Sequence, residues 1–563
     1  MSFKRTNQLD ILMLDKHRFK RQNHVSLSRT TRSGGTILEN LLSTRREIVK
    51  TLALATAIFP FTKNSWAKKL DKTPFALGIA SGSPTDKSIV LWTRLFDSGL
   101  FGSNIPNEPI DVGWELAEDE AFLKVVKSGT SVALPKLAHS VHSEVSGLPS
   151  NKWFFYRFQC GGFMSAVGKT RTLPSANQSV SKLRLSYASC QNYEHGYFSA
   201  YRHMKDENLD LVMFLGDYIY EYPQRKSGVR SVNGSWVLDL DDYRKRYALY
   251  KSDGDLQSIH AACPWIITWD DHEVQNDYAG NNIGSQGPAI SNFSKRRAAA
   301  YQAYYEHMPL PASALLGGID GLLAGSELRI YGNFQFGKLA NISMLDDRQY
   351  RDAKVCPPSG AGSSTFDPKS CTELTDPNRT LLGAQQEQWI ASTLKDSSKF
   401  DWNLFGQPTL YAQRYFGAED KRTIWNDSWD GFPVARKKID QLLIQNKVKN
   451  FVIFGGDVHQ NWVGYLKEDY DNPSSTTLGV EFCGTSITSD FGSSGNLQQT
   501  LKNNPHFIFA NANRRGYGVA EFTPQEMTVT LRAVMDVRQK DSGIESLAKF
   551  RVMSHTNKID KLS

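Results

Sequence analysis

The sequence predicts a layered α/β protein, with a small all-β sandwich followed by a larger domain of sheets flanked by helices. Three observations lead there. Between residues 74 and 174, short alternating runs such as 88–96 and 153–159 are separated by Gly, Pro, Asn and Asp clusters, the pattern of a β-sandwich. Beyond a polar stretch at 173–182, apolar β-rich runs alternate with helix-like segments, as in sheets covered by helices. The length, 563 residues, exceeds one ordinary domain. Two folded units are therefore expected, over 74–174 and 181–540, with a leader at 1–67 and a tail at 541–563.

The leader carries Arg45, Arg46 and Lys50, then an apolar run at 51–62, then Ser65-Trp66-Ala67. A charged region, a short apolar core and a small-x-small end make a signal peptide. The apolar run falls short of the ~20 residues that span a bilayer, so no stable membrane anchor is expected. The paired arginines look like a twin-arginine export signal. The expected partner is then the twin-arginine translocation machinery, and the expected location periplasmic or secreted. The net charge of +8 belongs to this leader, which holds 12 Lys/Arg against 4 Asp/Glu and leaves 54 of each elsewhere. Charge therefore gives no ground for a nucleic-acid partner.

In the larger domain the expected strands are 183–189, 209–216, 265–269, 339–345, 402–406 and 451–456. Helices are expected over 197–208, 296–306 and 385–394. Export makes disulfides permissible. Cys356 and Cys371 bracket a Gly/Ser/Pro-rich stretch and form the pair to expect, with two free thiols the open alternative. Cys160 and Cys263 read as small buried residues.

Function in such a domain is expected beyond the carboxyl ends of the strands. Four strands end in polar clusters there: Cys190-Gln191-Asn192, Asp217 to Glu221, Asp270 to Glu273 with Asn276 and Asp277 behind, and Asp457 to Gln460. Carboxylates and imidazoles crowded at one edge repel unless cations are bound. Thiolate, phenolate, carboxylate and imidazole together suit ferric iron. Carboxylates with an amide suit calcium, magnesium or manganese.

These clusters carry a resemblance. The strings SCQ (189–191), GDYIYE (216–221), WDDHEVQND (269–277) and GGDVHQ (455–460) look like the signature blocks of PhoD-type alkaline phosphatases, in family order. The G-D-x-x-Y element is also similar to that of purple acid phosphatases. The resemblance implies a layered β-sandwich metallophosphatase domain, with Fe(3+) held by Cys190, Asp217, Tyr220 and His459. It further implies that Asp217 bridges to Ca(2+), held also by Asp271, Asp457 and Asn276. His272 is then expected to contact phosphate or act as general acid. The alternative for it is a hydrogen bond to a ligating carboxylate. Arg94 and Arg348 are open between phosphate contacts and surface ion pairs.

The implied reaction is hydrolysis of small phosphate esters, monoesters and diesters, by attack of a hydroxide activated between two cations. A phosphodiesterase or phospholipase is one alternative, and a non-enzymatic phosphate- or metal-binding protein another.

Overall fold

The computed structural model describes residues 70–97, 104–356, 362–490 and 497–563. The leader at 1–67, with its expected export signal, lies outside the described residues.

Two sheets face each other. The first has ten strands in the spatial order Ile559–Lys561, Ile544–Met553, Glu526–Val534, Arg515–Phe522, Leu183–Ala188, Leu211–Leu215, Trp265–Thr268, Ile79–Gly82, Ser88–Arg94 and Ser140–Ser146. The second has seven, ordered Gly332–Phe336, Ala340–Met344, Trp402–Gly406, Phe451–Gly455, Thr477–Cys483, Asn461–Lys467 and Phe507–Asn511. Both have parallel centres and antiparallel flanks. Central strands such as Leu211–Leu215 and Phe451–Gly455 are buried along their whole length, which is why they read as unbroken apolar runs.

The two-residue period of a strand divides these side chains between layers. Leu211, Met213 and Leu215 face the second sheet and meet Ile342, Leu404, Val452 and Phe454 in the inter-sheet core. Val212 and Phe214 face the other way, under helices Ser199–Lys205, Leu240–Lys251, Gly254–Ala262 and Phe293–His307. The outer face of the second sheet is covered by Gly383–Lys395 and Pro433–Gln445. The result is helix, sheet, sheet, helix.

Residues 74–174 do form a sandwich, but it shares a sheet with the larger domain. One layer is a five-stranded sheet of Val125–Ala133, Ile110–Ala117, Trp153–Cys160, Phe163–Met164 and Gly168–Arg171. The other is the end of the ten-stranded sheet, where Gly82 pairs in parallel with Trp265. Ile89, Leu91 and Val145 pack on Trp114, Phe154 and Phe158 between them. The segment expected as a tail adds two strands at the opposite edge, Ile544–Met553 and Ile559–Lys561. Cys356 and Cys371 are bridged, and Cys160 and Cys263 are buried thiols.

Candidate metal centre

The site is built where central strands of both sheets end. Cys190, Asp217, Asp457 and His459 all adopt left-handed backbone conformations, with φ of 59°, 57°, 62° and 54°. Non-glycine residues sit there at a cost, and such positions cluster at functional sites. Gly216, at φ 98°, lets the chain pass so close to Asp270 that a Cβ would lie 2.6 Å from its amide nitrogen. Glu273 holds the turn by accepting from the amides of Asp217, Tyr218 and Asp270 at 3.2, 2.6 and 3.0 Å. Tyr220 is set by its backbone: its amide donates to Tyr250 Oη at 3.2 Å and its carbonyl accepts from Arg246.

Cys190 Sγ, an Asp217 carboxylate oxygen and a His459 ring nitrogen lie within 4.8 Å of one another. The Tyr220 hydroxyl joins them, donating to Asp217 Oδ2 at 2.8 Å and standing 3.2 Å from His459 Nε2. Four residues from three distant stretches thus meet. His459 Nδ1 donates to the carbonyl of Asp490 at 2.8 Å, which leaves Nε2 facing the cluster with its lone pair.

Burial on its own drives these groups toward their neutral forms. Burial first, then the charge of Asp217, pushes the Cys190 thiol well above its ordinary range. Burial and the same carboxylate push up the Tyr220 phenol. Burial raises Asp217 itself, and pulls His459 down to about 3. Among the described residues Asp217 Oδ1 has no hydrogen-bond partner, although its other oxygen is well engaged. A buried, orphaned carboxylate oxygen beside a thiol, a phenol and a neutral imidazole is a donor set that fits a cation.

A second grouping adjoins the first through Asp217, whose carboxylate lies within 4.8 Å of donor atoms of Asp271 and His272. Burial works against ionisation of Asp271, but Arg348 and His272 overcome it and hold the carboxyl below its usual range. Burial likewise opposes charging of His272, and the carboxylates of Asp217, Glu221 and Asp271 prevail, raising it well above an ordinary histidine. Asp457 accepts from Thr409 Oγ1 at 2.7 Å, and burial pushes it up to about 6. Asn276 is tied to its neighbours: its Oδ1 accepts from the Tyr222 hydroxyl and its Nδ2 donates to Ser285 Oγ, both at 2.7 Å. Asp277 groups with Asp271 and Asp427. That third cluster already holds cations, with Arg348 Nη1 2.8 Å and Arg351 Nη1 3.6 Å from the Asp427 carboxylate.

Both arginines left open by the sequence are buried. Arg348, 1% exposed, pairs with Asp270 at 2.5 Å and Asp427 at 2.8 Å beneath the acidic cluster. Arg94 donates to the Ala138 carbonyl and faces His307, remote in role from phosphate. Glu221 emerges as a site residue the sequence did not single out. Fully buried, it contacts His272 Nδ1 at 2.7 Å and accepts from the Asn276 amide at 2.8 Å.

Fold and donor set define a class, the phosphoric ester hydrolases built on an α/β sandwich, and comparison with known proteins narrows it. The profile of PhoD-like phosphatases matches residues 185–531, and that of the PhoD-like phosphatase N-terminal domain matches 61–174. Alkaline phosphatase D of Bacillus subtilis (strain 168) is 42% identical over 522 residues, 91% of this chain and 86% of that one. A solved structure of PhoD superposes with a TM-score of 0.82 at 42% identity, covering 88% of this chain and 94% of the other. The chain belongs to the PhoD-like phosphatase family.

Proposed function

We propose that this protein is an exported alkaline phosphatase that hydrolyses phosphate monoesters, and diesters as well, at an iron–calcium centre. Ferric iron is assigned to Cys190, Asp217, Tyr220 and His459. Calcium is assigned to Asp217, Asp271, Asn276 and Asp457. The observation that carries this reading is the meeting of Cys190, Asp217 and His459 donor atoms within 4.8 Å, with the Tyr220 hydroxyl among them. The bridged Cys356 and Cys371 support a working compartment that is oxidising. Among the described residues no helix is long and apolar enough to cross a membrane.

When bound, such cations polarise the phosphoryl group and activate the attacking water. The protein's own residues do the rest. Asp217 belongs to both groupings and so would tie the two sites together. Arg348 supplies the positive charge that keeps Asp271 ionised. His272, fixed through Nδ1 by Glu221, keeps Nε2 for the substrate, as a phosphate contact or as proton donor to the leaving alkoxide.

Metal analysis of exported protein tests the reading directly, with one iron and calcium expected per chain. A Tyr220–iron bond gives the protein a visible charge-transfer colour, and C190A loses iron and turnover together. A colourless, active, iron-loaded enzyme would refute the Tyr220 assignment. Rates on an aryl phosphate monoester, a bis-aryl diester and a phospholipid complete the test. A dominant phospholipid rate would replace the alkaline phosphatase by a phospholipase.

A further inference from the structure

Asn276 is held at its amide, its carbonyl and both ends of its side chain, by two separate segments. Its amide donates to Glu221 Oε1 at 2.8 Å, and its carbonyl accepts from the Ser285 amide at 2.9 Å. Gly284 permits that second contact, because a Cβ there would stand 1.9 Å from the Asn276 carbonyl oxygen. The loop so closed brings Ser285 Oγ to 2.7 Å from Asn276 Nδ2, while Tyr222 Oη stands 2.7 Å from Oδ1. One residue on, Asp277 Oδ2 accepts from Ser285 Oγ at 2.5 Å and from the amide and hydroxyl of Ser363 at 3.0 and 2.8 Å. The Asp277 amide in turn donates to Asp271 Oδ2 at 2.5 Å.

These contacts allow one order of protons. Asp277 Oδ2 receives the Ser363 amide and hydroxyl, so it is an acceptor, and the single hydroxyl proton of Ser285 goes to it. Toward Asn276, Ser285 Oγ can then only accept, and the atom facing it must be the amide nitrogen. The side-chain oxygen is thereby turned to Tyr222, whose hydroxyl donates to one of its two lone pairs and leaves the other for a cation. The Tyr222 ring lies against His272, with 5.1 Å between centroids, so the oxygen is drawn to the side on which His272 stands. Calcium takes amide oxygens, and the reversed side chain would offer N–H groups in that place. Residues that orient a metal ligand in this way typically contribute ~10–100-fold to metal affinity or activity.

We propose that Ser285 and Tyr222 are positioning residues of the calcium side, fixing which end of the Asn276 amide the cation meets. The inference rests on the assignment of calcium to Asp217, Asp271, Asn276 and Asp457.

The test is the affinity of the iron-loaded protein for calcium, measured by equilibrium dialysis, beside the calcium dependence of aryl phosphate hydrolysis. S285A and Y222F are each expected to bind calcium about 10–100-fold more weakly than the parent. The calcium concentration that gives half of each variant's own maximal rate should rise by the same factor. S285T keeps the hydroxyl and is expected to bind within a few-fold of the parent. N276A and D271A are the controls. With N276A weakened, parent-like binding by S285A or by Y222F overturns the proposal. So does S285T binding as weakly as S285A, because the hydroxyl would then not be the operative contact. Parent-like binding by N276A beside a weakened D271A removes Asn276 from the calcium site, and the inference with it. A parent protein that takes up no calcium, or a D271A that binds it as the parent does, overturns the calcium assignment itself. Y222F keeps the ring against His272 and Ser285 is half-buried, so the iron colour of the parent is expected in S285A, S285T and Y222F. Its loss would overturn a role confined to the calcium side.

Discussion

Glu221 is buried with one carboxylate oxygen on His272 and the other on the amide of Asn276. Glutamine in its place has nearly the same shape but only one acceptor. Either His272 loses the partner that fixes its Nδ1 proton or the Asn276 amide is left unsatisfied, a cost of about 1–3 kcal/mol. E221Q is therefore expected to lower kcat about 10–100-fold with little change in KM, measured by steady-state hydrolysis of an aryl phosphate. An unchanged kcat would mean that Glu221 does not orient His272. The donors themselves were legible from the sequence, because each stands where an apolar run stops and each has a side chain whose chemistry suggests a ligand. Glu221 and Arg348 were in view as letters, but nothing in one sequence says what a loop carboxylate faces. Nor does it say that an arginine between Asp347 and Gln349 is 1% exposed. Those are properties of chains that meet from far apart.

Helix Leu240–Lys251 gave no periodic signal because its buried side carries little aliphatic surface, from Ala248 and Leu249. It buries Tyr243, Arg246, Tyr247 and Lys251, while Asp239 caps its start by accepting from the Asp242 amide. A helix of this kind escapes a search for a 3.6-residue apolar stripe. The helices Phe293–His307 and Gly383–Lys395 were found, at the cost of a few residues at their ends. Lys251 makes the physical price of such burial measurable. Its ammonium stands 4.3 Å from the Trp92 ring and 5.2 Å from Tyr218. His260 and His307, the ionisable groups it acts on, are themselves driven neutral mainly by burial. Burial lowers Lys251 from 10.5 to about 7. The unfolded chain keeps the ordinary, higher value, so between roughly pH 7 and pH 10.4 it binds a proton that the folded protein lacks. Stability must then rise with pH across that window, by at most about 1.4 kcal/mol per pH unit from this group, and the full cost is present below it. K251M is expected to raise the denaturant midpoint at pH 7 and to flatten its rise toward pH 10. A variant whose pH profile parallels the parent's would show that Lys251 is not titrating in this window.

At the scale of the whole molecule, what one sequence conveys least is which distant strands pair. The sandwich at 74–174 was legible as strands and turns, yet its sharing of a sheet with Trp265–Thr268 depends on a contact some 180 residues away in the chain. The carboxyl-terminal segment is the same problem at the other edge. Its polar residues disguise an alternation in which Ala548, Phe550, Val552 and Ile559 enter the inter-sheet core. Strand Ile544–Met553 pairs with Glu526–Val534 along its length, so removing it would also leave a long strand with open hydrogen-bonding groups. At about 1.5–3 kcal/mol for each large side chain withdrawn from water, the segment contributes on the order of 5 kcal/mol. A chain ending at residue 540 is therefore expected to lose roughly 10 °C or more in apparent thermal midpoint and to aggregate on heating. Two further strands, Glu526–Val534 and Arg515–Phe522, separate the deleted edge from Leu183–Ala188, the strand that delivers Cys190. Turnover per folded, metal-loaded molecule at low temperature should accordingly stay near that of the full chain. A shortened protein with an unchanged midpoint would show that these strands add nothing to the core. One that melts early and also turns over slowly while still folded would show that the sheet edge and the donor cluster are coupled across the whole first sheet.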